Sequence, residues 1–443
     1  MLNPYTEEDF RLTIIEDIEN ELITEQKRGR HRTDGLERVS RNRILNFRNT
    51  FLIILNFKTT IQNELNSYFT QLDKESFTIQ KVTKSAFTQA RSKIDFGLFK
   101  RLAILACDAF YRKCNYITWH GYRVLAVDGS RVVLPSHKTV QEEFGVHLMG
   151  PKADSKQCLG LISTLYDVFN LQTVDASIDK YTSSERDHLL NHLERVKEGD
   201  LLLLDRGYPC FWLLFLLEAK GIEFCVRLKD DWWNVVNDFL KEAEKEKIVT
   251  IKLPKKDFGK LKEYPASQDK ELQIRLIKVE LPNGGIEILC TSLLSFKDYP
   301  QEEFPALYHK RWTIEEDGYK MLKCRAELEN WSGKTARSVK QDFFSKILLL
   351  NILSAYKHPI EEKVKAEFIV NEKRKHNQQL NKTSALNTLR KGLFSLFNEK
   401  SKSKIMEVMD LLIYKTREII RPNRSLERKH KPKKQYYQAY KHY

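Results

Sequence analysis

Apolar residues recur three and four positions apart over residues 1–115, which is the spacing of amphipathic α-helices. The segment FRNTFLIILNFKTTIQNELNSYF shows this spacing, and KSAFTQARSKIDFGLFKRLAILACDAFYRK continues it. No alternating strand pattern interrupts these runs. The pattern therefore predicts an α-helical N-terminal domain over residues 1–115.

Beyond residue 115 the pattern changes to short extended runs separated by turns. YRVLAVDGSRVVLP predicts a strand, a turn at Asp128-Gly129 and a second extended piece, and CLGLISTLYDVFNLQTVDASIDKY predicts two strands joined by a short turn. A helix capped by Ser184, the buried strand DLLLLD, the apolar helix PCFWLLFLLEAKG and the strand EFCVRLK follow. Three strands, helix, strand, helix, strand is the element order of the ribonuclease-H-like fold, a mixed sheet flanked by helices.

Residues 231–298 break this order. The motif PNGG lies between two apolar-alternating runs and predicts a hairpin, so we expect a mostly β insertion here. Helices return over residues 299–360, and a basic C-terminal region occupies residues 361–443. The predicted fold class is thus α/β, with a ribonuclease-H-like catalytic core over residues 116–230 and 299–360 that is split by the insertion.

Charge and cysteine content narrow the class of protein. The 443 residues include 75 Lys and Arg, with a formal net charge of +15. This balance favours a polyanion as partner, although charge alone leaves an ordinary soluble basic protein open. Seven cysteines without a C-x-x-C pair predict reduced thiols. Because no apolar run reaches the ~18 residues that span a bilayer and the N-terminus has no apolar signal region, we expect a cytoplasmic protein with no membrane partner.

Acidic residues at separated positions are candidates for one metal site. Asp128 ends the apolar run RVLAVD, Asp205 ends LLLLD, and Glu315 and Glu316 lie together in YHKRWTIEEDGYKMLK. Adjacent strand ends on a sheet are about 4.8 Å apart, and carboxylates are ligands that Mg²⁺ prefers. Two Mg²⁺ ions at such a site activate an oxygen nucleophile and stabilise the departing oxygen of a phosphodiester.

Each of these residues alone also has an ordinary structural interpretation. Asp128-Gly129 is by default a turn, and Asp205 suits a helix cap or a partner of Arg206. The residues after Arg311 suit an exposed helix face with weak ion pairs. Only their combination favours a metal-dependent phosphoryl-transfer site.

The motifs VDGS, DRGY and Y-x-x-R-W-x-I-E together resemble the catalytic core of bacterial insertion-sequence DDE transposases. They resemble more narrowly the IS-four family, whose mark is a Tyr-Arg-Glu-Lys signature, and KSAFTQARSKI, ELENWSGKT and RPNRSLERK are similar to that family too. The resemblance implies that three residues are catalytic and hold two Mg²⁺ ions, with Mn²⁺ as a substitute: Asp128, Asp205 and Glu315. It implies that three others contact DNA phosphates: Tyr308, Arg311 and Lys323.

The spacing of the signature departs from the family pattern at one point. The family places Glu four residues after Arg and Lys seven after Glu, whereas Lys323 lies eight residues after Glu315 and seven after Glu316. At about 100° per residue only Glu315 shares a helix face with Arg311. We expect a π-bulge near Asp317-Gly318 to absorb the extra residue, and we prefer Glu315 to Glu316 as the metal ligand.

The resemblance implies a transposase that binds the inverted terminal repeats of an insertion sequence and moves it by cut-and-paste transposition. Double-stranded DNA is the expected partner, bound through the N-terminal helices and the basic tail by a homodimer in a bacterial, nucleoid-associated location. Trp232 and Trp233 open the insertion and suit either stacking on a flipped base or packing in its core. Two alternatives remain open: a ribonuclease-H-like nuclease without strand transfer, and an inactive DNA-binding relic or repressor.

Overall fold

The structure of the protein is a computed structural model that describes residues 9–31, 44–77, 80–149, 155–229, 233–267, 270–281, 284–370 and 376–420. Trp232 and the basic tail from Arg421 lie outside these residues. In chain order, the described α-helices are α1 (Phe10–His31), α2 (Phe47–Leu55), α3 (Ile61–Asp73), α4 (Lys84–Arg91), α5 (Phe96–Lys113), α6 (Lys138–Phe144), α7 (Glu185–His192), α8 (Phe211–Ala219), α9 (Asn234–Lys241), α10 (Phe304–His309), α11 (Ala336–Val370), α12 (Lys382–Asn398) and α13 (Lys402–Lys415).

The described strands are β1 (Arg123–Leu134), β2 (His147–Met149), β3 (Ser155–Asp167), β4 (Thr173–Lys180), β5 (Asp200–Leu204), β6 (Glu223–Leu228), β7 (Glu246–Lys252), β8 (Glu271–Glu280), β9 (Ile286–Thr291), β10 (Gln378–Gln379) and β11 (Glu418–Ile419). The chain forms two compact units. One comprises the described residues of 1–115, 132–160 and 321–443, and the other those of 116–131 and 161–320. Because each unit is assembled from separate segments, the domain boundaries expected from the sequence stay a prediction.

The first unit is mainly helical. Its helices bury the apolar stripes that recur three and four residues apart in the sequence, and helix α11 packs against α5. The rings of Phe51 and Phe99 stack with centroids 5.1 Å apart. Arg91 forms a buried ion pair with Asp342 at 3.1 Å. The helical character expected for the N-terminal segment is thus observed in α1 to α5.

The second unit is built on a mixed sheet. Strand β1 pairs in parallel with β5 and β5 in parallel with β6, whereas β6, β9, β8 and β7 follow one another in antiparallel pairs. On the other side of β1 lies β3, which also pairs with β4. Strand β5 is buried along its whole length, which explains why its sequence is a continuous apolar run rather than an alternating one.

The order of elements in the core agrees with the sequence-based prediction. Strands β1, β3 and β4 are followed by α7, β5, α8 and β6, with the short α6 and β2 added between β1 and β3. The expected hairpin is confirmed by the antiparallel pairing of β8 with β9, in which Glu280 is opposite Ile286. The insertion continues the sheet through β7, β8 and β9 and also contains helix α9.

One local prediction was wrong. No turn occurs at Asp128-Gly129, because β1 continues through both residues to Leu134 and Gly129 does not have a positive φ. The segment from Tyr308 to Lys323 departs from a regular α-helix, as expected from its spacing. It changes from α10 to a 3₁₀ turn at Lys310–Trp312 and then to π-helical segments, since its spacing carries one residue too many for an α-helix.

Two further predictions concern the state of the cysteine thiols and the presence of membrane-spanning helices. All seven cysteines are free, and Cys107, Cys158, Cys225 and Cys290 are buried, which agrees with the prediction of reduced thiols. Within the described ranges, no helix has both the length and the apolar character needed to cross a bilayer.

Candidate active site

Asp128 and Asp205 lie at the same level of two neighbouring parallel strands. The register of β1 with β5 pairs Ala126 with Leu203, and each aspartate lies two residues beyond this pair. Neighbouring strands are about 4.8 Å apart, so the two acidic residues start from adjacent backbone positions. Strand pairing therefore brings together two residues that are far apart in the sequence.

A buried network supports the backbone at Asp128. Its carbonyl oxygen accepts hydrogen bonds from the hydroxyls of Ser163 at 3.3 Å and Tyr319. Ser163 Oγ lies 3.1 Å from His192 Nε2, and His192 Nδ1 lies 2.8 Å from Asp175 Oδ2. All four supporting side chains are buried. Such a satisfied network holds the strand, and with it Asp128, in one position.

The carboxyl group of Asp128 has an unusual electrostatic environment. Its pKa is raised from 3.8 to about 7, chiefly by burial. The positive charge of Arg311 opposes this rise, and the negative charges of Glu315 and Glu185 contribute to it. At neutral pH the group is therefore divided between its protonated and ionised forms. A bound cation favours the ionised form, since it offsets both the burial and the neighbouring charges.

The glutamate pair lies in a π-helical turn, Ile314–Tyr319. This confirms the expected π geometry around Asp317-Gly318. The buried guanidinium of Arg311 lies 3.4 Å from Glu315, whereas Glu316 is exposed and pairs with Lys320 at 3.7 Å. Of the two glutamates, only Glu315 contributes to the raised pKa of Asp128. The placement thus favours Glu315 as the member of the site.

Two of the residues predicted to contact DNA phosphates, Tyr308 and Lys323, belong to different compact units. The side chain of Tyr308 is only 6% exposed, and its hydroxyl donates to the carbonyl of Leu204 at 3.2 Å. Leu204 is the last residue of β5 and directly precedes Asp205. This hydrogen bond therefore holds the end of the strand in place. Lys323 lies in the second π-helical segment, Met321–Arg325, which belongs to the other compact unit.

Sequence reasoning missed Glu185. It is the first residue of α7, whose N-cap is Ser184 as expected. A β-carbon built on Gly129 lies 2.6 Å from Glu185 Oε1 and 3.1 Å from its carboxyl carbon. Burial and the charge of Asp205 raise the pKa of Glu185. In the sequence, a glutamate in the first turn of a helix indicates only a favourable helix start, so no local signal connects it with the site.

Two sets of hydrogen bonds hold the backbone of the motif DRGY: one within the motif and one from Arg186. The backbone N–H of Tyr208 donates to the carbonyl of Asp205 at 3.0 Å, and the guanidinium of Arg186 donates to the carbonyls of Tyr208 and Gly207. The Tyr208 side chain is 1% exposed. Burial, and then the negative charges of Glu185, Asp128 and Asp205, raise the pKa of its hydroxyl far above the usual range. The motif thus places a buried phenol beside the carboxylates.

Trp233 is a core residue in this structure. Its side chain is 7% exposed, and its ring stacks on Phe211 with centroids 4.4 Å apart. This placement agrees with the packing interpretation for Trp233. Trp232 lies outside the described residues.

The donor set suits a hard divalent cation, although it does not form a closed ligand cage. In the part of the chain that the structure describes, no three His, Cys, Asp or Glu side chains are arranged closely enough to surround one ion. The groups present are nevertheless carboxylates: the charges of Glu315 and Glu185 raise the pKa of Asp128, and the charge of Asp205 raises the pKa of Glu185. Mg²⁺ takes such oxygen ligands and keeps several waters, so the residues fit this ion.

Comparison with protein families identifies the chain. A family described as the transposase DDE domain matches residues 119–352, which is more than half of the sequence. The chain belongs to this DDE transposase family. It is therefore an enzyme that cleaves DNA and transfers DNA strands.

Comparison of the transposase with curated proteins and with solved structures does not narrow the family assignment. No protein of curated function matches it. Among solved structures it is similar to a cryo-EM structure of the piggyBac transposase synaptic complex with hairpin DNA, with 11% sequence identity and a TM-score of 0.43. The alignment covers 91% of this chain and 84% of that one.

Proposed function

We propose that this transposase moves an insertion sequence by cut-and-paste transposition and that it is of the IS-four type. The motifs VDGS, DRGY and Y-x-x-R-W-x-I-E support this narrower placement. The order of strands and helices around β1 and β5 supports a ribonuclease-H-like core. The transposase binds the inverted terminal repeats at both ends of the element and cuts them together, which requires a homodimer on the DNA.

The observation that carries the proposal is the common level of Asp128 and Asp205 on β1 and β5, together with the electrostatic contact between Asp128 and Glu315. We assign these three residues as the ligands of two Mg²⁺ ions, for which Mn²⁺ substitutes. When bound, such ions activate the attacking oxygen and stabilise the departing oxygen of the phosphodiester. The protein fixes the three carboxylates on a strand, a strand end and a π-helical turn.

The residues of the signature have separate roles in this proposal. Arg311 holds Glu315 at 3.4 Å, and its buried Nε makes no hydrogen bond to the described residues. A contact of its guanidinium with a DNA phosphate, as predicted from the sequence, requires this group to become accessible when DNA binds. Lys323 supplies a second phosphate contact. For Tyr308 we propose a buried role, which is to hold the end of β5 through Leu204, in place of the phosphate contact predicted from the sequence.

DNA-end recognition is assigned to the N-terminal helices and the basic tail. The tail carries seven Arg and Lys between residues 421 and 434, and its structure lies outside the described residues. Basic residues of this kind contribute affinity for the DNA backbone rather than sequence specificity. The helices α1 to α5 are therefore the segment in which we expect base contacts.

A strand-transfer assay tests the proposal. Precut transposon ends and a target plasmid are supplied with Mg²⁺, and the wild type is compared with Asp128→Asn and Asp205→Asn. We expect joined product from the wild type and none from either variant, with DNA binding retained in all three. Cleavage of uncut ends without any joined product from precut ends would show a nuclease and contradict the proposal.

A further inference from the structure

One acidic side chain beside the site has no role in the mechanism above. Glu185 is exposed to solvent, and its carboxylate lies against the backbone of Gly129, the residue that follows Asp128. Within the described part of the chain, the Glu185 carboxylate makes no hydrogen bond or ion pair. Its negative charge acts on Asp128 and is acted on by that of Asp205, and like charges repel.

The residue type at position 129 is what permits this arrangement. A β-carbon there meets Glu185 Oε1 at 2.6 Å and the carboxyl carbon at 3.1 Å, which is closer than van der Waals contact allows. The backbone of Gly129 does not require glycine, because its φ is not positive. The missing side chain leaves the space that the carboxylate of Glu185 occupies.

Tyr208 provides an independent observation that points to a ligand. Its side chain is 1% exposed, its hydroxyl has no hydrogen-bond partner among the described residues, and it lies within the electrostatic reach of Glu185, Asp128 and Asp205. A buried hydroxyl without an acceptor destabilises the fold, because the hydrogen bond it loses to water is not replaced. An oxygen ligand of a cation held by these carboxylates is an acceptor that removes this cost.

We propose that Glu185 is a fourth carboxylate of the metal centre, which binds the divalent cation held by Asp128 and Asp205. The geometry that carries this is its contact with Gly129, one residue after Asp128, together with the buried hydroxyl of Tyr208, which has no partner among the described residues. The proposal rests on the metal site of the proposed function. It adds a ligand from α7, a helix that none of the signature motifs includes.

The test measures cation binding rather than catalysis. The thermal unfolding midpoint is recorded during Mg²⁺ titration, and binding of Mn²⁺ alone is followed by electron paramagnetic resonance. Glu185→Gln is compared with Asp187→Asn, a matched loss of one negative charge two residues later on the same helix and about 200° around it. We expect the half-saturating cation concentration to rise about 10- to 100-fold in Glu185→Gln and to stay unchanged in Asp187→Asn.

A second variant changes the position of the carboxylate without removing it. Gly129→Ala puts a methyl group where Glu185 Oε1 lies, so all four carboxylates remain while Glu185 is displaced. We expect its cation affinity to fall in the same direction as that of Glu185→Gln. A cation response of Glu185→Gln equal to that of Asp187→Asn would overturn the proposal.

Asp128→Asn separates this inference from the function on which it rests. If Asp128→Asn abolishes the cation response while Glu185→Gln keeps it, only the fourth ligand is wrong. If both variants keep the wild-type response, the metal site itself is wrong, and the inference is overturned with it.

Discussion

Tyr308 donates its hydroxyl hydrogen to the backbone carbonyl of Leu204, the residue that precedes Asp205. The bond joins the signature segment to the end of β5. It gives Tyr308 a buried role in placing Asp205, which we propose as a metal ligand, and this role differs from direct contact with DNA. The two roles have different experimental consequences.

Tyr308→Phe removes this hydroxyl and keeps the ring. We expect the free energy of unfolding to fall by about 0.5–1.5 kcal/mol and strand transfer to slow, while affinity for transposon-end DNA stays the same. Chemical denaturation, single-turnover strand transfer and a DNA-binding titration measure the three quantities. A loss of DNA affinity with unchanged stability would instead favour the phosphate contact predicted from the sequence.

The raised pKa of Asp128 makes stability depend on pH in a defined direction. Its pKa in the folded protein is about 7, above the usual 3.8. A carboxyl group with a raised pKa stabilises the fold fully below about pH 4, and this contribution is lost as the pH rises through about 7. In metal-free protein, Asp128→Asn should therefore be more stable than the wild type at about pH 8, by up to about 4 kcal/mol.

The same comparison at about pH 4 should show no difference, because both side chains are then neutral. Adding Mg²⁺ at the higher pH should stabilise the wild type and leave Asp128→Asn unchanged. Glu316→Gln is the control, since Glu316 is exposed and pairs with Lys320. Parallel pH profiles for the wild type and Asp128→Asn would contradict the assigned environment of this carboxyl group.

Separate glutamine variants distinguish the adjacent glutamates. Glu315→Gln should abolish strand transfer, because the carboxylate paired with Arg311 is the one that acts on Asp128. Its stability should fall by about 1 kcal/mol or less, since the Glu315 side chain is partly exposed. Glu316→Gln should retain strand transfer and stability. The opposite pattern in the same assay would move the metal ligand to Glu316.

Ser163→Ala tests the buried support of Asp128. The substitution removes the hydroxyl that donates to the Asp128 carbonyl and leaves His192 Nε2 without its partner. We expect a loss of about 1–3 kcal/mol in the free energy of unfolding and slower strand transfer. Ser183→Ala, in the loop before α7, is the matched control and should change neither. Wild-type stability in Ser163→Ala would show that the network does not hold the strand.

Removal of the basic tail tests its contact with DNA phosphates. Seven Arg and Lys lie between residues 421 and 434, and each phosphate neutralised contributes about 0.9 to the slope of log K against log salt concentration. A chain that ends at Ile420 should lose up to about 6 from this slope. DNA-binding titrations at several salt concentrations measure it. An unchanged slope would mean that the tail does not touch DNA.

Local patterns in the sequence predicted much of the core. The apolar runs before Asp128 and Asp205, the hairpin between β8 and β9 and the π geometry near Gly318 all follow from residue spacing over a few positions. The turn at Asp128-Gly129 was predicted wrongly, because an Asp-Gly pair favours a turn locally while pairing within the sheet keeps the strand extended. Tertiary contacts outweigh local propensity at such a site.

The sequence by itself determined which acidic residues end the apolar runs and which family the motifs resemble, since both are properties of neighbouring positions. Only the tertiary structure decided that Tyr308 holds the end of β5 and that Glu185 lies against Gly129. Each of these depends on which segments meet in space. Strand register and packing set that proximity, and no periodicity within one segment encodes it.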